Sequence, residues 1–163
     1  MKKLLLLFII TSNIGFSQFE FEIPVGYYSH KTTEKGVIVS ISKVSKGIIT
    51  SSFEIKENDD WSFSMFTNQD YIDNQISSTE IESLFTGYFN EFKLLLKKEL
   101  YFNSIGDTFM IQFSYEENGN KLIKTLIQFI KNNKLYSCSG TTIANSFRLN
   151  FNDYLTIIES IRF

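Results

Sequence analysis

The sequence is poor in the residues that build disulfide frameworks and metal centres. Its 163 residues include one cysteine, one histidine and one proline. A single cysteine cannot form an intramolecular disulfide or a cysteine zinc site, and a single histidine excludes a histidine-rich centre. No glycine-rich phosphate loop and no Gly-x-Ser-x-Gly nucleophile elbow occur. We therefore expect no catalytic residues, no metal and no cofactor, and a protein that is not an enzyme.

The chain also lacks a strong excess of charge. Lys and Arg total 16 against 18 Asp and Glu, which gives a formal net charge of -2. The basic residues are scattered and do not form a stripe, so we expect no nucleic-acid binding. A hydrophobic fraction of 43% and a charged fraction of 21% are typical of a globular protein and not of a disordered one.

The N-terminus has the pattern of a secretory signal peptide. A basic start is followed by the apolar run Leu4–Ile10, and the small residues Gly15 and Ser17 precede Gln18. The apolar run is too short for a membrane span, which needs about 20 residues. We expect residues 1–17 to be cleaved between Ser17 and Gln18, leaving residues 18–163 as a single exported domain, periplasmic or secreted, with no stable membrane anchor.

Alternating apolar and polar residues predict several β-strands in the first half of the chain. The alternation covers Phe19–Ile23, Val37–Ile41 and Trp61–Met65, and Ile48–Ile55 is rich in β-branched residues. Residues 67–75 are expected to form a polar loop.

A long amphipathic helix is predicted next, over Ser77–Leu100. Ser77 and Glu80 form a capping-box pattern, and apolar residues recur at three- and four-residue steps from Ile81 to Leu96. Gly87 inside this stretch suggests a close approach to a strand. Near the C-terminus, Asn150 is expected to cap a final helix.

The region after Gly106 predicts a three-stranded meander. A three-residue turn around Gly119 would pair Glu117 with Lys121 and place Phe109 opposite Phe129. A two-residue turn would place Phe113 opposite Lys124, which we consider less favourable.

A second turn at Asn132-Asn133 sets Phe129 opposite Tyr136 and Ile127 opposite Cys138. Cys138 is therefore interpreted as a buried core residue and not as a nucleophile. His30 is interpreted as a solvated loop residue. The expected structural core comprises Phe85, Phe89, Ile111, Phe113, Ile127, Phe129 and Cys138.

Aromatic residues are abundant, at 16% of the chain. Four of them fall in or near predicted loops and strand ends, where an aromatic ring with a polar tip suits a protein interface. These candidate partner contacts are Tyr27, Tyr28, Trp61 and Tyr71. The alternative, left open, is that they pack the edges of the sheet.

Two motifs resemble the PsbP-like domain family. The stretch Phe19–Tyr27, with Pro24, Gly26 and Tyr27 in series, is similar to that family's opening, although Tyr27 stands where a Trp is usual. The ending Ser160-Ile161-Arg162-Phe163 is similar to its C-terminal motif. The resemblance implies an antiparallel sheet flanked by helices, and a binding or accessory role with no shared catalytic set.

We therefore predict an α+β fold, in which an antiparallel sheet packs against the long helix Ser77–Leu100 and a C-terminal helix. The favoured function is an exported, non-enzymatic binding or accessory protein that contacts a protein partner outside the cytoplasm. One alternative is a carrier of a small apolar ligand, with a cavity lined by Phe85, Phe89, Phe113 or Phe129. Another is an inhibitor or immunity protein against a secreted toxin.

The signal-peptide prediction has a direct test. Expression in a bacterium with a functional secretion pathway should yield a protein that begins at Gln18, because the small residues Gly15 and Ser17 suit signal peptidase. Intact-mass measurement of the exported protein reads the N-terminus. A mass that retains residues 1–17 in the mature protein would contradict the prediction.

Overall fold

The computed structural model describes residues 19–58 and 77–163, and these residues form one antiparallel sheet with two α-helices. The seven strands lie in the order β1-β2-β3-β7-β6-β5-β4, so β1 and β4 are the edges. In chain order the elements are β1 (Tyr27–Ser29), β2 (Val37–Ser45), β3 (Ile48–Asn58), α1 (Ser78–Thr86), β4 (Asn90–Phe102), β5 (Gly106–Glu117), β6 (Asn120–Lys131), β7 (Lys134–Ile143), a 3-10 turn (Ala144–Ser146) and α2 (Phe147–Ser160).

The main core lies between one face of the sheet and α2. Helix α2 and the residue after it bury Tyr154, Ile157, Ile158 and Ile161, each at most 1% exposed. The core that they join contains apolar residues from all seven strands, so removing this helix would uncover most of that face. The strand residues in this core include Ile41, Phe53, Ile55, Met110, Ile127, Phe129, Tyr136 and Cys138.

Gly140 on β7 makes this packing possible. A Cβ atom placed there would lie 2.3–2.7 Å from three ring carbons of Tyr154, closer than real atoms approach. The Tyr154 ring therefore rests directly on the β7 backbone. Phe53 of the neighbouring strand packs beside it, with ring centroids 5.4 Å apart and planes tilted by 30°.

The first described residues, from Phe19 on, meet the C-terminal residues beside this core. The predicted strand Phe19–Ile23 is wrong, because only Glu20 pairs, in an isolated bridge with Arg162. Its N–H donates to the Arg162 carbonyl at 3.0 Å, and the Arg162 N–H donates to the Glu20 carbonyl at 2.8 Å. Phe19 packs edge-on against Phe163, with centroids 5.4 Å apart. The tail after α2 has only three residues, Ile161–Phe163, and a tail this short leaves no partner for a longer strand.

The long helix predicted over Ser77–Leu100 is wrong. The capping box is present, since Ser77 N–H donates to Glu80 Oε2 at 2.7 Å and Glu80 N–H donates to Ser77 Oγ at 3.2 Å. The helix nevertheless ends at Gly87, and no other part of the described chain lies within 4 Å of a Cβ built there. Gly87 therefore marks a helix end and not a close approach.

Strand β4 takes the remainder of that predicted helix. Phe92, Leu94, Leu96, Leu100 and Phe102 repeat at even spacings, which suits a strand as well as a helix. Pairing with β5 satisfies the backbone of β4 along one edge, with irregularities between Asn90 and Lys93 and between Leu94 and Leu96. The short-range capping signal was right about where the helix begins, and tertiary pairing decided where it stops.

The register of the first hairpin also differs from the prediction. Asn118 and Gly119 both have positive φ, 51° and 73°, and form a two-residue turn that pairs Glu117 with Asn120. Phe113 consequently lies opposite Lys124, and Phe109 lies opposite Gln128. Apolar residues occur on both faces of β5, so matching apolar partners cannot choose between the two registers.

The second hairpin confirms its predicted register. Asn132 and Asn133 form the turn, with φ of 50° and 62°. Phe129 lies opposite Tyr136 and Ile127 opposite Cys138.

Helix α2 begins before the predicted cap. It starts at Phe147, so Asn150 lies inside the helix, where it is 2% exposed and donates to Thr142 Oγ1 at 2.7 Å. The buried Thr142 hydroxyl supplies Asn150 with a partner, which makes an internal Asn tolerable in a helix.

Some predicted features lie outside the described residues. These are the signal peptide, the strand Trp61–Met65 and the polar loop 67–75. Across residues 19–58 and 77–163, neither helix has the length and apolar character that crossing a lipid bilayer requires.

The contact between Gly140 and Tyr154 yields a stability prediction. Gly140→Ala should lower the free energy of unfolding by about 2–3 kcal/mol, because the new methyl group must displace a buried ring. Chemical denaturation measures the change.

Gly87→Ala is the matched control, since its φ is -75° and its added methyl group meets nothing. Its effect should stay within about 0.5 kcal/mol. Equal effects of the two substitutions would show that Tyr154 does not rest on β7 as described.

Candidate functional site

The sheet face opposite α2 is only partly covered by the described chain. Helix α1 and the turn after it pack over β4 and β5, where Ile81, Phe85 and Phe89 contact Phe113 and Tyr115. Ring centroids are 5.5 Å apart for Phe85 and Phe113 and 4.8 Å apart for Phe89 and Tyr115. This small aromatic cluster ends at β5.

Beyond β6, the same face carries mostly hydroxyl side chains, on β7, β3 and β2. Ser42, Ser52 and Thr141 are aligned across β2, β3 and β7. The neighbouring row places Glu54 between Ser40 and Ser139. We call this surface the hydroxyl face, and it comprises Ser40, Ser42, Ser52, Ser137, Ser139 and Thr141. Among the described residues, α1 makes most of its contacts with β4. Helix α2 makes most of its contacts with β7, on the opposite face of the sheet.

A shallow groove runs along the boundary between the aromatic cluster and the hydroxyl face. Its volume is about 270 Å³. One side is apolar and the other is polar, so the groove is amphipathic. It is lined by Phe85, Phe89, Phe113 and Leu126 on the apolar side and by Glu54, Lys56, Lys124, Ser137 and Ser139 on the polar side.

The charged residues of the groove differ in how they are paired. Lys56 Nζ lies 2.6 Å from Glu34 Oε1 in an exposed ion pair. Glu54 accepts a long hydrogen bond of 3.4 Å from Ser40 Oγ. Lys124 is partly buried, and within the described ranges it has neither an ion-pair partner nor a side-chain hydrogen bond.

The predicted partner contacts separate in the structure. Tyr28 is 63% exposed and lies opposite Ser42, at the outer border of the hydroxyl face. Tyr27 points the other way, is 6% exposed and belongs to the main core, so it cannot offer its ring to a partner. Trp61 and Tyr71 lie outside the described residues.

Tyr27 instead starts a chain of buried hydrogen bonds. Its hydroxyl lies 2.8 Å from Ser51 Oγ, and Ser51 Oγ lies 2.6 Å from the Tyr154 hydroxyl. Tyr154 O–H donates to the Thr141 carbonyl at 2.9 Å. Because a carbonyl can only accept, each hydroxyl in this chain donates towards Thr141.

Lys43 lies beside this chain and joins it to α2. Its ammonium is 3.2 Å from Asp153 Oδ2 and 3.5 Å from Asn150 Oδ1, and it lies over the Tyr27 ring. Every polar group here has a partner, so the network is a structural support for α2 and offers no free group to a ligand.

The predicted core residues fall into two groups. Phe85 and Phe89 are partly buried and line the groove. The others are at most 5% exposed, and they are Ile111, Phe113, Ile127, Phe129 and Cys138. Burial raises the pKa of the Cys138 thiol well above its usual range, because a thiolate would be desolvated there.

His30 is exposed, and its ring hydrogen-bonds to Ser42 Oγ. A Ser and His pair alone resembles part of a hydrolase triad. No carboxylate among residues 19–58 and 77–163 orients the ring, however, and Ser42 is 3% exposed within a strand. Those residues also contain no group of three His, Cys, Asp or Glu side chains placed to hold a metal ion.

The hydroxyl face was missed in the sequence, although a signal for it exists. Ser40 and Ser42 alternate with apolar residues, as do Ser137, Ser139 and Thr141 in part. Reading those positions as one face of neighbouring strands would have required the β3–β7 pairing, which joins residues far apart in the chain.

Comparison with solved structures shows that the chain has a PsbP-like fold. It is similar to the cyanobacterial PsbP (CyanoP) of Synechocystis, with a TM-score of 0.52 and 9% identity over 93% of this chain and 96% of that one. It is also similar to LpqN of Mycobacterium tuberculosis, described as involved in cell envelope biogenesis. That match has a TM-score of 0.54 and 7% identity over 88% of this chain and 82% of that one.

A third similar structure is the immunity protein TplEi of the T6SS of Pseudomonas aeruginosa. The TM-score is 0.50 and the identity is 12%, over 76% of this chain and 42% of that one. No protein-family model matches the chain. No curated protein matches it either. At these identities the comparisons establish the fold alone.

The buried tyrosines predict a loss of stability at alkaline pH. Burial raises the pKa of Tyr27 to about 12 and raises the pKa of Tyr154 further, whereas a tyrosine in an unfolded chain titrates near 10. Because the pKa of each tyrosine is higher in the folded protein than in the unfolded chain, keeping these hydroxyls protonated stabilises the fold. This stabilisation is complete below about pH 10 and is lost as the pH rises through about 12.

Urea unfolding at a series of pH values measures this dependence. Tyr27→Phe should make the alkaline decline in the free energy of unfolding shallower, because one of the groups with a raised pKa is gone. At neutral pH the variant should lose about 1 kcal/mol of stability through the missing hydrogen bond to Ser51. An alkaline decline that is identical in the variant would contradict the burial of the Tyr27 hydroxyl.

Proposed function

We propose that this chain is an exported, non-enzymatic binding or accessory protein that contacts a protein partner outside the cytoplasm through the hydroxyl face. The observation that carries the proposal is the asymmetry of the sheet. One face is sealed by α2, and the opposite face leaves β2, β3 and β7 free of a helix in the described part of the chain.

The chemistry of the hydroxyl face supports a protein partner. Its serine and threonine side chains can donate and accept hydrogen bonds, and they alternate with one acid, Glu54, and one base, Lys56. Tyr28 adds an exposed ring at the border, and tyrosines are frequent anchors in protein interfaces. A polar surface with a few aromatic anchors is typical of non-obligate interfaces.

A non-catalytic role is supported by the state of the candidate nucleophiles. The Cys138 thiol is fully buried and protonated, and the Ser42 hydroxyl lies inside a strand, with His30 as its only side-chain partner among the described residues. The similar structures include a cyanobacterial PsbP and an immunity protein, and we take this likeness in fold as further support for a binding role.

Export is supported by the signal-peptide pattern of residues 1–17 and by the similarity of the fold to LpqN, a protein described with the cell envelope. An inhibitor or immunity role remains the alternative within the same class, because it also requires a surface for a protein partner.

Photo-crosslinking in intact cells tests the proposal. A photoreactive phenylalanine analogue at Tyr28 should give a discrete crosslinked product, because that side chain borders the hydroxyl face. Ser52→Arg in the same protein should abolish the product by placing a long charged side chain in the centre of the face.

Tyr101 is the matched control position. It is 67% exposed, close to the 63% of Tyr28, but it lies on β4, at the opposite edge of the sheet from β1. The analogue at Tyr101 should give no product. The same product from both positions, or a product insensitive to Ser52→Arg, would rule out the hydroxyl face as the interface.

A further inference from the structure

The groove beside α1 has a polarity gradient across a short distance. One row of the sheet runs from Glu54 through Ser139 and Leu126 to Ile111, across β3, β7, β6 and β5. Neighbouring strands lie about 4.8 Å apart, so the acid and Leu126 are about 10 Å apart. A ligand lying across these strands would meet a polar end and an apolar end.

The apolar end is built from rings that remain accessible. Phe85 and Phe89 are only partly buried by the described chain, and Phe113 lies between them and the sheet. Leu126 extends this surface onto the groove floor. An apolar body placed here would remove ring surface from water, which favours binding.

Lys124 supplies an uncompensated positive charge next to this apolar surface. It lies directly opposite Phe113 on β5 and Thr141 on β7, and its ammonium has no counter-ion in the described ranges. Lys56 is already neutralised by Glu34, and Glu54 repels an anion at the β3 side. An anionic group would therefore settle at Lys124.

We propose that this groove binds a small amphiphile that has an apolar chain and a single anionic head group. The chain would lie on Phe85, Phe89 and Leu126, and the head would pair with Lys124. A volume of about 270 Å³ lies just below the usual range for ligand pockets, which begins near 300 Å³, so the ligand is a single short chain.

This site differs from the closed apolar cavity expected from the sequence. Phe129, expected to line that cavity, is fully buried on the opposite face of the sheet. The remaining three rings border an open groove whose other wall is polar. An open amphipathic groove favours a ligand whose head stays near water over a wholly apolar one.

The site is independent of a protein partner. Binding to the purified protein requires only the groove, so a negative result here and a negative result in the crosslinking experiment have separate meanings.

Two probes of equal chain length and opposite head charge test the proposal by isothermal titration calorimetry. Decyl sulfate should bind with one-to-one stoichiometry at concentrations below micelle formation. Decyltrimethylammonium should bind at least tenfold more weakly, because its head meets the Lys124 ammonium. This comparison uses the unmodified protein and is unaffected by any folding defect.

Variants then locate the site. Lys124→Gln should weaken decyl sulfate binding by about tenfold, the value of one charged hydrogen bond. Lys98→Gln is the matched control, an exposed lysine opposite Met110 on the α2 side of the sheet, and should leave binding unchanged. Ser139→Trp should abolish binding by filling the groove floor.

Three results would overturn the proposal. They are equal binding of the two head groups, the same affinity in Lys124→Gln and Lys98→Gln, and the absence of any binding of decyl sulfate below micelle formation. Thermal unfolding of each variant confirms that it is folded before its affinity is compared.

Discussion

The contact between the Tyr154 ring and the bare backbone of Gly140 is the constraint on which the rest of the fold depends. It sets the distance between α2 and the sheet, because any side chain at Gly140 would push the ring away. At that distance the Tyr154 hydroxyl reaches Ser51, and Ile157 and Ile158 enter the main core. The helix then brings Arg162 to Glu20, which joins the C-terminal tail to the first described residues. The two motifs that resemble PsbP-like domains therefore meet in space.

The same constraint explains why the two faces of the sheet differ. The C-terminal helix, together with Phe19, Phe21 and Phe163, covers one face, where fully buried aromatic and aliphatic residues collect. The other face receives only the short helix α1 from the described chain, and this helix reaches no further than β4 and β5 in its main contacts. Hydroxyl side chains suit the part of this face that no described helix covers, because water or a neighbouring polar side chain can satisfy them. The groove forms where the covered and uncovered parts of this face meet.

Local signals in the sequence predicted local structure well, and failed where distant residues decide. The Ser77 and Glu80 capping box marked the start of α1, and the turn at Asn132-Asn133 placed Cys138 in the core. The spacing of apolar residues after Gly87 was compatible with helix and strand alike, and only the pairing with β5 selects the strand. The role of Gly140 was not visible either, because it depends on a ring fourteen positions later in the chain. The candidate binding surfaces were missed for the same reason, since they combine residues from strands that become neighbours only in the folded sheet.

In the described chain, α2 seals one face of the sheet, and no helix covers the other face over β2, β3 and β7. Hydroxyl-radical footprinting with mass spectrometry tests this difference most directly. Tyr27 and Tyr28 are adjacent in sequence and point to opposite faces, with exposures of 6% and 63%. In the native protein, Tyr28 should be oxidised rapidly, and Tyr27 and Tyr154 should be strongly protected. After denaturation, all three should be oxidised at similar rates. Similar native rates for Tyr27 and Tyr28 would contradict this expectation, because the sealed and open faces would then be indistinguishable.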